Sequence, residues 1–168
     1  MRVLNIKKQK GIYNVLAIIS KANFDLEIIE GELPTKEIAA SLADVGSLYP
    51  GFKSWLYFTF RAGMNKNQRK IIIAHRNGII AGLSLLKKTT EEKKICTFYV
   101  LPEYRGYGLG GELMNESVRH LDHKDIGITV SEERHNELSP LLISSGFTLE
   151  SIKPGHYRNG KDEIFYKL

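Results

Sequence analysis

The sequence predicts one α/β domain that is built around a single mixed sheet. Its 168 residues suit one domain with a full hydrophobic core. The middle of the chain, 70–101, has the pattern of an antiparallel meander, and a strand–loop–helix–strand unit follows over 94–130. A meander, a crossover of this kind and a last hairpin together are typical of a mixed sheet with flanking helices.

The first third of the chain predicts a helix, a strand and two more helices. A helix over 11–22 is indicated by apolar residues at helical spacing, namely Ile12, Val15, Leu16, Ile19 and Ala22. Apolar and acidic residues then alternate over 24–28, as in a strand. Thr35 can cap a helix that runs to about Gly46, and a second helix is expected over 53–62. The aromatic residues of that second helix are either core or one wall of a binding pocket.

The central segment predicts three antiparallel strands, over 70–76, 79–87 and 94–101. Asn77-Gly78 separates the first two, and both residues tolerate the positive φ of a tight hairpin. The rest of the chain predicts a helix over 108–121, a buried strand over 126–130, a helix over 134–145 and strands over 147–152 and 164–168. Asn159-Gly160 marks the turn between the last two strands.

Charge and cysteine content narrow the class of protein. Lys and Arg number 24 against 19 Asp and Glu, and this excess favours an anionic partner, either nucleic acid or a phosphorylated cofactor. The single cysteine, Cys96, cannot form an internal disulfide or a cysteine-rich zinc site. No apolar run reaches the roughly 18 residues of a membrane span, and the N-terminal charges do not fit a signal peptide. We therefore expect a cytoplasmic protein with no membrane segment.

The most informative segment is a glycine-rich loop between a predicted strand and a helix. Four of the six residues over 106–111 are glycine, and Arg105 precedes them. Glycine lets backbone amides approach a ligand closely, and the first N–H groups of a helix have no partner within the helix. The positive end of the helix dipole lies there too, so the segment is suited to bind phosphate oxygens.

Three interpretations of this loop compete. A plain structural turn needs only one or two glycines. Gly106, Gly108 and Gly111 satisfy the dinucleotide pattern G-x-G-x-x-G, but that pattern belongs in a first βαβ unit and directly after its strand. Here five residues separate Val100 from Gly106, and about 90 residues precede the strand. The third interpretation is an acyl-coenzyme A site, and it depends on the residues that surround these glycines.

Arg105-x-x-Gly108-x-Gly110 follows Val-x-Pro-Glu-Tyr and opens an amphipathic helix. Here the sequence resembles the GNAT superfamily of N-acetyltransferases. The resemblance covers 24–168, is dense over 95–121, which we take as the acetyl-CoA-binding core, and includes Gly146-Phe147 after the late helix. Residues 1–22 are treated as an N-terminal addition to one domain, and an alternative places the family's first strand at 2–6.

The resemblance implies how the cofactor would bind. In the family the fourth and fifth strands splay apart, and the pantetheine of acetyl-coenzyme A (acetyl-CoA) lies between them and bonds the exposed edge of the fourth strand. That edge maps onto Phe98, Tyr99 and Val100. The pyrophosphate maps onto Arg105, Gly106, Tyr107, Gly108, Leu109, Gly110 and Gly111. Asn136 matches a position near the pantetheine arm.

The resemblance also implies a reaction, acetyl transfer to a primary amine by direct attack in a ternary complex. The Val100 N–H would stabilise the oxyanion. Leu142 stands where many relatives have an acidic tyrosine, so the proton donor and the base are left open among Tyr99, Ser131, Glu132 and Tyr157. Tyr99 can equally be a packed strand residue, Glu132 a solvated residue and Ser131 a turn cap.

The sequence also contains residues that could bind a metal ion or RNA. His120 and His123 share a helix face, but no third ligand is evident, so no metal is expected. The lysine group at 87, 88, 93 and 94 is a solvated face or an RNA-facing patch. The alternatives to the amine acetyltransferase are therefore an acyl-CoA-binding sensor and an RNA-directed enzyme. The acceptor is not identified, and a homodimer is one option for the assembly.

Overall fold

The computed structural model describes residues 3–4, 8–10, 13–20 and 23–168. Its strands are β1 (Val3–Leu4), β2 (Lys8–Lys10), β3 (Tyr13–Ser20), β4 (Asp25–Glu30), β5 (Arg69–Arg76), β6 (Ile79–Lys88), β7 (Lys93–Val100), β8 (Ile126–Ser131), β9 (Thr148–Pro154) and β10 (Asp162–Lys167). Its helices are α1 (Thr35–Ser41), α2 (Ala43–Leu48), α3 (Phe52–Ser54), a π-helix (Trp55–Phe60), α4 (Arg61–Asn65), a 3₁₀ turn (Pro102–Tyr104), α5 (Leu109–His120) and α6 (Glu132–Ser144).

These strands form one mixed sheet in the order β1-β3-β4-β5-β6-β7-β8-β10-β9, with β2 paired to β3. Neighbouring strands are antiparallel except β7 and β8, which are parallel and joined through α5. The predicted α/β fold is confirmed. The strands from β4 onward number seven, which agrees with the predicted six or seven, and the described part of the N-terminal segment adds three more.

The predicted helix over 11–22 is wrong for the residues that the structure describes. Tyr13–Ser20 is a strand that pairs antiparallel with β4, and Ile19 lies opposite Leu26. Val15, Ile18 and Ile19 are β-branched and fit a strand better than a helix. The free edge of β4 also supplies hydrogen-bond partners that spacing alone does not reveal. Residues 11, 12, 21 and 22, and residues 2, 5 and 6 of the alternative first strand, lie outside the described residues.

The predicted helices before the meander are present but more broken than expected. The helix over 35–46 is divided at Leu42 into α1 and α2. The Thr35 hydroxyl donates to the Leu33 carbonyl at 3.2 Å and does not cap the helix. The helix over 53–62 is present and is wound as a π-helix in its middle.

The core has two layers, one on each face of the sheet. α1 to α4 cover one face, where Leu56 and Phe60 are fully buried, and α5 and α6 cover the other. We call these the α1–α4 face and the α5–α6 face. Along the part of the chain that the structure describes, no helix is both long and apolar enough to cross a membrane.

Candidate functional site

The sheet opens into a gap between β7 and β8. The two strands pair only from Lys93 opposite Ile126 to Ile95 opposite Ile128. At this point β7 contains a bulge, because Leu85 of β6 lies opposite Thr97 while Leu86 lies opposite Ile95, which leaves Cys96 as the extra residue. A bulge bends the strand that carries it and increases its twist. We attribute the separation of β7 from β8 beyond Ile95 to this bulge.

The last residues of β7 direct part of their backbone into the gap. The Leu101 N–H donates to the Ala81 carbonyl at 2.9 Å. In an antiparallel ladder the backbone groups of residues two positions apart face the same side. The Tyr99 backbone is therefore turned toward β6, whereas Phe98 and Val100 present their N–H and C=O groups to the gap. The Val100 carbonyl accepts a hydrogen bond from Arg105 Nε at 3.0 Å.

The glycine-rich loop lies at the end of this edge and has the backbone geometry of an anion cradle. Gly106 and Gly108 have φ values of +80° and +81°, and Gly108 is the N-cap residue directly before α5. A Cβ atom placed on Gly106, Gly108 or Gly111 would meet no atom within 4 Å, so the loop surface is open. The first N–H groups of α5 have no partner within the helix. Leu109, in contrast, is buried and anchors the loop to the core.

Arg105 and Tyr99 belong to a charged cluster beside this loop. Arg105 pairs with Glu137 at 3.2 Å, and the guanidinium carbons of Arg105 and Arg134 lie 5.7 Å and 5.2 Å from the centre of the Tyr99 ring. The Tyr99 hydroxyl donates to Asp44. Burial and this bond raise the pKa of Tyr99 to about 12, so the phenol stays protonated. Its hydroxyl is committed to α2.

A cavity of about 570 Å³ joins the gap to the α1–α4 face. Phe98, Val130 and Ser131 line its inner end. Arg134 and Leu138 approach it from α6, and the segment from Val45 to Trp55 forms its outer wall. A ligand in the gap and a second ligand on the α1–α4 face can therefore meet at the sheet.

A tyrosine and a buried carboxylate lie in this cavity. The Tyr49 hydroxyl donates to Glu163 Oε1 at 2.8 Å, and Glu163 lies on β10 directly opposite Ser131. Glu163 is only 3% exposed. Burial raises the pKa of its carboxyl, although the Tyr49 hydrogen bond and the nearby Arg158 act against this. Burial and Glu163 raise the pKa of Tyr49, so its proton is retained.

The sequence did not identify Tyr49 and Glu163. Tyr49 precedes Pro50-Gly51, a pair typical of a break between helices, and the last predicted strand begins at Ile164, two residues after the observed start of β10. Glu163 directly precedes an apolar run, and a residue in that position can belong to the same strand and share its burial.

Two of the predicted acid–base candidates line the same cavity. The Tyr157 hydroxyl accepts a hydrogen bond from Lys94 Nζ at 3.2 Å, and its ring packs edge-on against Tyr49 with 6.2 Å between centres. The Ser131 hydroxyl is buried and has no hydrogen-bond partner among the described residues. It lies near Tyr49 and opposes the effect of burial on the pKa of that phenol. Both side chains therefore belong to the wall of the cavity.

The other sequence-derived positions lie away from the cavity. Glu132 accepts the Asp162 N–H at 2.8 Å and pairs with Lys161, and these contacts lower the pKa of its carboxyl. Asn136 is exposed on α6. Leu142 is fully buried among the apolar residues of the α5–α6 face and supplies no acidic hydroxyl.

The lysine group at the β6–β7 turn is divided between two environments. Lys88 and Lys93 pair with Asp122 at 2.8 Å and 3.4 Å. Lys87 and Lys94 line the cavity instead.

Within the described ranges no group of three or more His, Cys, Asp or Glu side chains could hold a metal ion. Cys96 lies 3.6 Å from Arg69, and burial raises the pKa of its thiol.

Comparison with known proteins gives a consistent picture. A family model described as an acetyltransferase (GNAT) domain matches residues 51–164. No curated protein sequence matches the chain significantly. A solved structure from Desulfovibrio desulfuricans, assigned to the GNAT acetyltransferases, aligns with a TM-score of 0.68 and 18% identity and covers 85% of this chain and 98% of its own.

Two further solved structures have the same fold. The ribosomal-protein-S18-alanine N-acetyltransferase from Escherichia coli aligns with a TM-score of 0.63 and 19% identity, over 85% of this chain and 92% of its own. A protein from Bacillus anthracis, assigned as a streptothricin acetyltransferase and solved with acetyl-CoA, aligns with a TM-score of 0.57 and 20% identity, over 68% of this chain and 69% of its own.

Proposed function

This chain belongs to the GNAT family of acetyltransferases, and we propose that it moves an acetyl group from acetyl-CoA to a primary amine by direct attack. The observation that carries the proposal is the β7–β8 gap, into which Val100 directs its N–H beside an open glycine-rich loop. A thioester carbonyl placed against that N–H would gain a hydrogen bond that strengthens as the oxyanion forms.

The loop and the gap support acetyl-CoA as the acetyl donor. The free N–H groups at the start of α5 suit the pyrophosphate oxygens. The gap-facing backbone of Phe98 and the N–H of Val100 suit the pantetheine amides. The related structure from Bacillus anthracis was solved with acetyl-CoA. We place Arg105 at the loop entrance, where release from Glu137 would free its guanidinium for a phosphate.

We assign Glu163 as the base that takes a proton from the acceptor ammonium. Its raised pKa brings it closer to neutral pH, which is the range where a carboxylate accepts protons most efficiently in catalysis. The free amine then forms the N–C bond and the C–S bond breaks. The second proton lost by the nitrogen goes to the departing thiolate. Tyr157 can relay it, because its hydroxyl accepts from Lys94 and keeps its own proton available.

The experiment that tests this proposal combines cofactor binding with turnover. Calorimetry should detect binding of acetyl-CoA and none of NAD, and release of the coenzyme A thiol should depend on an added amine. Binding without thiol release across a broad amine panel would favour an acyl-CoA sensor. Binding of NAD alone would contradict the assignment of the loop.

An RNA-directed enzyme receives less support from the geometry. Its lysines would have to form one surface, but Lys88 and Lys93 are paired with Asp122 while Lys87 and Lys94 line the cavity. RNA binding that falls steeply with added salt would restore that alternative.

The single cysteine supports a cytoplasmic location for the proposed enzyme.

A further inference from the structure

Three cationic side chains lie side by side on the α1–α4 face of the sheet. Arg69 on β5 lies directly opposite Lys87 on β6, and Lys87 lies directly opposite Lys94 on β7. Directly opposed residues place their side chains on the same face. All three line the cavity that contains Glu163. We call these three residues the cation row.

The cation row is unfavourable for the protein on its own. Like charges on directly opposed strand residues destabilise a sheet. Glu92 is the carboxylate that interacts with all three cations. It pairs with Lys87, and the charges of Lys87, Lys94 and Arg69 lower the pKa of its carboxyl. One anion among three cations leaves an excess of positive charge at the wall of the cavity. An anionic ligand would relieve this repulsion.

Arg69 is the member best suited to hold such a ligand. Its guanidinium carbon lies 5.8 Å from the centre of the Trp55 ring and 5.3 Å from that of Phe60, so it is packed in a fixed position. Gly63 makes room for it, since a Cβ there would collide with Arg69 Nε. The guanidinium forms no ion pair with any carboxylate in the described part of the chain.

The cation row is connected to the reacting centre through aromatic side chains. Lys94 donates to the Tyr157 hydroxyl, the Tyr157 ring packs on Tyr49, and Tyr49 donates to Glu163. An acceptor could therefore place its amine at Glu163 and a second group at the cation row within one cavity. The length of the acceptor would be set by the distance between these two groups.

We propose that the acceptor is an amine that also carries a carboxylate, and that the cation row binds this carboxylate while Glu163 receives the amine. The inference rests on the proposed function and names its substrate class. The planar guanidinium of Arg69 presents a fork of donors that matches a carboxylate. Lys87 and Lys94 would add positive charge, but their flexible ammonium groups would not fix the orientation of the bound carboxylate.

The first test compares matched amines at fixed acetyl-CoA concentration. The panel holds ω-amino carboxylates from glycine to 6-aminohexanoate, the amide of each, 2-aminoethyl phosphate, and short peptides with or without an acidic side chain. We expect the best carboxylate to exceed its own amide at least tenfold in kcat/KM. The best chain length shows the distance between the amine and the carboxylate that the cavity accepts. The comparison of free acids with acidic peptides shows whether the carboxylate belongs to a small molecule or to a peptide.

The second test uses variants of the cation row. Arg69→Met should raise KM for the carboxylate amine about tenfold or more, leave kcat nearly unchanged and leave the neutral amides unaffected. Arg69→Lys should retain part of the preference. Lys88→Gln is the matched control. Lys88 follows Lys87 in the chain but pairs with Asp122, so removing its charge should leave the preference for carboxylate amines unchanged.

A binding measurement separates this inference from the proposed function. In the presence of coenzyme A, the N-acetylated carboxylate product should bind at least tenfold more tightly than its amide, and Arg69→Met should remove the difference. If amines react but acids and amides are equal in both assays, the inference is wrong and the function stands. If no amine reacts, the function fails and product binding still decides the inference. A preference for the phosphate alone would also overturn it.

Discussion

Glu163 is the residue on which the proposed chemistry depends most. Burial of the Glu163 carboxylate disfavours its charged form, and its pKa is raised for that reason. No lysine, arginine or histidine of the described residues lies within ion-pair distance of it. Groups with perturbed pKa values in a cavity are frequent at active sites, and this supports a catalytic role.

Replacing Glu163 by Gln should lower kcat/KM for the amine by about 10²–10⁴, the usual contribution of a general base. The amide keeps the size of the side chain and can still accept the hydrogen bond from Tyr49. Steady-state thiol release measures the effect. Glu132→Gln is the matched control, since Glu132 carries the same charge on the neighbouring helix but is bound to Lys161. Equal losses in the two variants would contradict the assignment of the base.

The pH dependence of the reaction should follow the same group. Glu163 acts as a base only when it is deprotonated, and its pKa lies above the ordinary 4.5, so kcat/KM should rise with pH through this raised pKa. In Glu163→Gln this rise in kcat/KM should be absent, and only the ionisation of the acceptor amine should remain in the pH profile. Stability has the opposite sign: the folded protein binds the proton more tightly, so the free energy of unfolding should fall across that pH range.

The stability comparison provides a check that needs no substrate. Thermal melting of the protein and of Glu163→Gln between pH 4.5 and pH 8 should diverge, with the variant equally or more stable at the upper end. A variant that is less stable at every pH would indicate that Glu163 serves the fold instead.

At the scale of the element, local residues predict the glycine-rich loop, whereas the gap was expected only from the resemblance to the family. The loop appears in the sequence as glycines at fixed offsets before an amphipathic helix, and each has a local physical reason, such as the left-handed φ of Gly106 and Gly108. The bulge at Cys96 depends instead on how β7 pairs with β6. No residue type marks the bulge, so its position is visible only from the pairing of β7 with β6.

Gly108→Asp should abolish acetyl-CoA binding and leave the fold intact. The new side chain would project into the open space at the start of α5 and bring a negative charge where the pyrophosphate is expected. Calorimetric titration measures the loss. Gly160→Asp is the matched control: its φ is +69°, its Cβ also meets no atom within 4 Å, and it lies in a different loop. Equal binding by both variants would remove the loop from the cofactor site.

At the scale of the whole molecule, the sequence predicted the order of elements from β4 onward and failed where tertiary pairing decides. The hairpin at Asn77-Gly78 and the helix after Gly108 follow from local chemistry, and both are present. The strand Tyr13–Ser20 exists because β4 offers an edge. The meeting of Tyr49 with Glu163, 114 positions apart, depends on the complete sheet.

The division of the sheet at the gap leads to a prediction for the whole protein. β7 and β8 are paired at only three positions, so a ligand in the gap would join the two halves of the sheet. Acetyl-CoA at 100 times its dissociation constant should stabilise the fold by about 2.7 kcal/mol. For a domain of this size that corresponds to a rise in Tm of roughly 5–10 °C.

Thermal melting and amide hydrogen exchange with and without acetyl-CoA test this directly. Slowed exchange should extend through both β7 and β8, since a ligand that bridges the gap protects the edges of both strands. NAD should give no shift, and Gly108→Asp should give none with acetyl-CoA. A rise in Tm with protection confined to the start of α5 would show that the phosphates bind at the loop while the pantetheine stays outside the gap. The Val100 N–H could then not reach the thioester, and the proposed mechanism would fail although the cofactor binds.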